Sequence, residues 1–93
     1  MRTEEYKSIN KEEINGLSFH KEIGMAQPND LISSLENATR LGNGYHSKMK
    51  IFFICDQGPR RVTTTVWATG TKNICLKGGI WIPISHITRI ESE

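Results

Sequence analysis

Between Pro28 and Asn43, in "PNDLISSLENATRLGN", the apolar positions recur every three or four residues: Leu31, Ile32, Leu35, Ala38 and Leu41. This spacing lines one face of a helix. Asn29 or Asp30 can cap its start, just after Pro28. Gly42 or Gly44 is expected to end it, with Arg40 near the negative end of the dipole. Beyond the helix the period changes to two. "HSKMKIFFICD" alternates at Met49, Ile51, Phe53 and Cys55, and "RVTTTVWAT" at Val62, Thr64, Val66 and Ala68. "NICL", "GIWIPI" and "SHITRIE" complete a run of strands, and "QGPR" reads as a turn.

Matching apolar faces across each turn gives a register, because a slip of one residue inverts every side chain. A two-residue turn at Gly78-Gly79 would put the apolar sets of its two strands on opposite faces. A three-residue loop, Lys77-Gly78-Gly79, with Gly79 at positive φ, pairs Ile74 with Ile82 and Leu76 with Ile80 on one face. The same matching pairs Cys55 with Val62, Phe53 with Thr64, Ile51 with Val66, Val66 with Leu76 and Ala68 with Ile74. Lys50, Trp67, Cys75 and Trp81 then form a cross-strand row on the face away from the core. Pro83 lacks a donor, so its end of the strand should be an edge or a bulge. Ile84, Ile87 and Ile90 are expected to point inward.

The first 28 residues are weakly patterned. Asn10 and Glu13 have the spacing of a capping box for one or two helical turns. Leu17, Phe19, Ile23 and Met25 form an alternating apolar set, so residues 1–28 are expected to pack as a segment on a domain formed by residues 29–93. The chain of 93 residues has room for one core. No apolar run approaches the roughly 20 residues of a membrane span, and the polar, acidic start is unlike a signal peptide, so a cytoplasmic, non-membrane protein is expected.

The net charge of +2 conceals an asymmetry. Residues 1–36 carry four basic and seven acidic side chains, and residues 37–93 carry eight basic and three acidic ones. The halves then attract each other, or the basic half meets an anionic partner.

A helix followed by a bent meander, a one-turn link and a short closing strand resembles the small SH3-like barrels, including the Sm-like proteins. "ICLKGGIWIPI" is similar to the second Sm signature, with Lys77-Gly78 between apolar strand residues. The first Sm signature is absent from "WATGTKNIC". The pattern "TTVWA…LKGG…IPI" also resembles small bacterial domains, a likeness that implies a fold and no activity. The resemblance implies a mainly β (α+β) fold: an N-terminal helix, then a strongly bent antiparallel five-stranded barrel.

Enzyme chemistry finds little support. His20, His46 and His86 are scattered, and Cys55 and Cys75 lack metal-site spacing, so no catalytic residue, metal or cofactor is expected. Gly42 and Gly44 belong to a helix end and Gly78-Gly79 to a hairpin, not to a phosphate loop. The expected function is binding. Lys48, Lys50, Arg60, Arg61 and Lys77 could contact the phosphates of nucleic acid. The face of Trp67, Cys75 and Trp81 has three readings: it is covered by residues 1–28, it is a homo-oligomer or protein contact, or it stacks a ligand. An open strand edge is a further route to a protein partner.

Overall fold

The computed structural model describes residues 5–19 and 27–93. Among them are seven strands in two sheets. One sheet has the order β1-β3-β2-β7, from β1 (Lys7–Ser8), β2 (Met49–Cys55), β3 (Gly58–Thr64) and β7 (Ile87–Ser92). The other has the order β4-β5-β6, from β4 (Val66–Thr69), β5 (Asn73–Leu76) and β6 (Ile80–Pro83). The mainly β class is as expected. The closed five-stranded barrel is not found, since no ladder among the described residues joins the two sheets. Only Thr65 separates β3 from β4; it is buried, and its carbonyl accepts the Lys77 N–H at 2.9 Å.

Helix α1 (Leu31–Tyr45) buries Leu31, Leu35, Ala38 and Gly42. Ile32, expected on the same stripe, is 48% exposed. The helix also passes both glycines that were expected to stop it and ends at His46, whose φ of 55° makes the left-handed cap. Gly42 is not a terminator because it has a packing role. A Cβ there would lie 2.5 Å from the Val66 carbonyl oxygen and 2.9 Å from Thr65 Cγ2, so the bare glycine lets α1 approach the corner between β3 and β4. Thr39 and Thr69 hydroxyls, 2.6 Å apart, and a 3.1 Å bond from Thr69 Oγ1 to the Leu35 carbonyl fasten the helix to β4.

The two glycine hairpins differ in how they compare with expectation. In the β5–β6 hairpin, Ile74 faces Ile82, Leu76 faces Ile80 and Cys75 faces Trp81, across the loop Lys77-Gly78-Gly79. Gly79 has φ 79°, as the register required, and Gly78 also lies at φ 94°. Substituting Gly79→Val is expected to cost roughly 1–2 kcal/mol or more, from left-handed backbone and a β-branched side chain. Lys77→Val should stay within about 0.5 kcal/mol. Equal midpoints for the two variants in urea unfolding would reject this turn.

The β2–β3 hairpin is tighter than expected. Cys55 faces Gly58 rather than Val62, Phe53 faces Arg60 rather than Thr64, and Ile51 faces Val62 rather than Val66. The cause is Gly58, whose φ of 102° allows the chain to reverse over Asp56 and Gln57 alone. The shift is an even number of residues, so the core face is unchanged. Met49, Ile51, Phe53, Cys55 and Val62 are all buried. In β4, Val66 faces Leu76 as expected, but Ala68 faces Cys75 and not Ile74, because a bulge follows Val66. Pro83 ends β6, an edge strand, where its missing donor costs the sheet nothing.

The N-terminal segment fills gaps around this frame. Asn10 N–H donates to Glu13 Oε2 at 2.7 Å and starts a 3-10 helix, Lys11–Gly16, whose Ile14 is buried in the core. Phe19 stacks obliquely on Phe53, with centroids 5.9 Å apart, and meets His86 edge-on at 5.3 Å. Tyr6 packs on the far side of the larger sheet, edge-on to Phe52 at 5.2 Å. Ile23 and Met25, two of the residues expected to cover the tryptophans, lie outside the described residues.

Candidate functional site

Side chains on a strand alternate between faces, and directly paired residues share one. The core face of the smaller sheet is therefore set by Ile74, Leu76, Ile80 and Ile82, all buried. Its outer face carries Cys75, opposite Trp81 on β6. On β4 the bulge sets Trp67 and Ala68 together against Cys75, and both are exposed. The result is a row across three strands. Trp67 is 46% exposed and Trp81 is 56% exposed, while Cys75 between them is only 9% exposed. Two strand spacings put the tryptophans roughly 9–10 Å apart along the row. Cys75 Sγ lies 3.6 Å from its neighbour's carbonyl, that of Leu76, and both cysteines are free thiols.

Lys50 does not belong to this row. It lies on β2 in the other sheet, between Thr63 and Glu91. Its expected place depended on the Ile51–Val66 pairing, which the tight turn at Gly58 removes. The described part of the N-terminal segment leaves both tryptophans exposed: Leu17 and Phe19 pack against the core, and the 3-10 helix Lys11–Gly16 lies beside β6, with Lys11 reaching the turn at Gly78.

The five expected phosphate-contacting cations are spread over the molecule. Lys50 and Arg61 share the outer face of the larger sheet, with Lys48 just before β2. Arg61 is paired with Phe52, and Arg89 faces Phe52 from the other side. Arg60 points to the opposite face, and its Nη1 donates to the Pro59 carbonyl at 2.8 Å. Lys77 sits exposed in the β5–β6 turn. Arg89, whose place beside Phe52 the sequence did not suggest, has its guanidinium 4.3 Å from the Phe52 ring centroid and its Nε 3.0 Å from Glu91 Oε2.

Two features near the tryptophans were missed. Lys72 is exposed just before β5, so β5 has a lysine at each end. The run from Gln57 to Ile90 contains no aspartate or glutamate, yet it holds Arg60, Arg61, Lys72, Lys77 and Arg89. All of β4, β5 and β6 falls inside that run. Averaging charge over residues 37–93 hid it.

Other chemistry is sparse. His86 is buried and its Nδ1 lies 3.0 Å from Ser85 Oγ. Among the described residues no three His, Cys, Asp or Glu side chains converge on a metal site, and no helix is long and apolar enough to cross a membrane. Compared with family models, curated proteins and solved structures, the chain matches none.

Proposed function

We propose that the chain is a non-enzymatic binding module that holds single-stranded nucleic acid on the outer face of the β4-β5-β6 sheet. The carrying observation is the pair of exposed tryptophans, Trp67 and Trp81, in one row of a sheet free of acidic side chains. Bases stack on indole faces whatever their sequence, and a sheet with no acidic side chain of its own accommodates the phosphates. Lys72 and Lys77 supply charge at the two ends of β5. Lys48, Lys50, Arg60 and Arg61 lie on or beside the other sheet and serve at most a longer strand. The organisation is read as SH3-like: β3 and β4 act as one strand bent at Thr65, and a 3-10 turn, Ile84–His86, leads to a last strand that returns to β2.

Tryptophan fluorescence tests this directly. A short single-stranded oligonucleotide at low salt is expected to quench the emission, with affinity falling as salt rises. Trp81→Ala should weaken binding by about 5- to 150-fold, equivalent to roughly 1–3 kcal/mol of lost stacking. Lys72→Glu with Lys77→Glu should flatten the salt slope. Absence of quenching at low salt would overturn the reading. A concentration-dependent mass abolished by Trp81→Ala would assign the face to a second copy of the chain instead.

A further inference from the structure

We infer that the free edge of β7 pairs with β7 of a second copy of the chain, antiparallel about Ile90, so that the larger sheet continues across a two-fold axis. The inference stands apart from the nucleic-acid reading, because the tryptophan row lies on the other sheet.

Every sheet edge is a row of backbone groups able to pair with another strand, and most edges here are short or covered. β1 is two residues long. Along β4 lies α1, whose Gly42 comes so close that a Cβ there would be 2.5 Å from the Val66 carbonyl oxygen. β6 ends on Pro83, and the 3-10 helix Lys11–Gly16 lies beside it. β7 differs from all three. It is six residues long, contains no proline and, among the described residues, pairs only with β2. α1 reaches β7 through the core, where Leu31, Leu35 and Ala38 join Ile87.

The hydrogen-bond pattern shows which groups face outward. Glu93 N–H donates to the Lys48 carbonyl at 3.4 Å, two residues on from the Glu91–Lys50 pair. Bonded and non-bonded pairs alternate along an antiparallel ladder. Glu91 and Arg89 therefore bond to β2, and the N–H and C=O groups of Ile90 and Ser92 point to the free edge. No other group among the described residues bonds to the backbone of either.

Charge then selects one register. Arg89 and Glu91 sit opposite Phe52 and Lys50, so both lie on the outer face, on either side of Ile90. An antiparallel copy centred on Ile90 sets each Arg89 opposite Glu91 of the second copy. These are non-hydrogen-bonded positions, where facing side chains come closest. Centring one residue earlier sets Arg89 against Arg89, and one residue later sets Glu91 against Glu91, and like charges directly opposite are destabilising. Within one chain Arg89 Nε already holds Glu91 Oε2 at 3.0 Å, and the two-fold axis joins two such pairs into a network of four alternating charges. On the core side, the half-buried Ile90 meets its own copy.

So short an edge makes a weak interface. Sedimentation equilibrium of the full chain from about 10 µM to about 1 mM is expected to show monomer and dimer exchanging within that span. Glu91→Arg should weaken association by about tenfold or more, since it sets arginine against arginine. Arg89→Glu should do the same, and an equimolar mixture of the two variants should dimerise again, because every charge then meets its opposite. Ser92→Pro removes a donor that faces the free edge and none that bonds to β2, so it should weaken the dimer at a near-wild-type melting temperature. Trp81→Ala should leave the dimer unchanged. A wild-type chain that stays monomeric to about 1 mM would overturn the inference. So would a dimer that survives both Glu91→Arg and Ser92→Pro, a dimer that Trp81→Ala dissolves, or a mixture of the two charge variants, each folded by its melting curve, that stays monomeric.

Discussion

Replacing Phe52 by alanine is expected to destabilise the domain by about 3–5 kcal/mol, a large part of the roughly 5–15 kcal/mol that holds a small domain folded. By alternation Phe52 belongs to the outer face of the larger sheet, yet it is fully buried. Tyr6 covers it edge-on, and the Arg89 guanidinium lies over its ring. The Tyr6 hydroxyl is tied to Thr88 Oγ1 at 2.8 Å, and Thr88 Oγ1 also donates to the Phe52 carbonyl at 3.2 Å. β2 is thus buried on both sides, by the main core and by this smaller cluster. Removing the ring strips contacts from Tyr6 and Arg89 together. Tyr6→Phe removes only the hydroxyl, and Thr88 keeps its other bond, so its cost should be about 0.5–1.5 kcal/mol. Urea unfolding of both variants measures the difference. A loss below about 1 kcal/mol for Phe52→Ala would mean that the cluster contributes little.

Phe52 also shows where the sequence stops being informative. Alternation put it on the outer face, but its cover comes from Tyr6, more than forty residues away, and no local pattern announces that contact. The β5–β6 hairpin was legible because one loop length alone puts Ile74, Leu76, Ile80 and Ile82 on the same face. The β2–β3 hairpin was not, because Ile51 finds a β-branched apolar partner in Val62 or in Val66, and both registers keep the same face inward. Backbone geometry at Gly58 chooses between them, and composition does not encode it. That one choice moved Lys50 out of the tryptophan row and dispersed the basic cluster. Trp67, Cys75 and Trp81 stayed together because their pairing depends on the hairpin that was read correctly. The acid-free run around them was visible in the sequence and needed only a narrower window.

Gly42→Ala is expected to destabilise the domain by about 2–3 kcal/mol, although alanine is the better helix former by up to about 1 kcal/mol. Two effects of opposite sign meet at this position. Propensity favours the methyl group. Against it, the new Cβ would sit 2.5 Å from the Val66 carbonyl oxygen and 2.9 Å from Thr65 Cγ2. The carbonyl is backbone, at the corner between β3 and β4, and it cannot swing aside as a long side chain would. Relief requires α1 to retreat, which loosens Leu35 and Ala38, both fully buried, and stretches the Thr39–Thr69 contact. Gly44, two residues on in the same helix, is the control, because a Cβ there meets nothing within 4 Å. Gly44→Ala should therefore be neutral or stabilising by up to about 1 kcal/mol. At about 4–8 °C per kcal/mol for a domain of this size, the melting temperatures of the two variants should move in opposite directions and differ by more than about 8 °C. Equal melting temperatures would show that the helix does not approach the corner as closely as Gly42 allows.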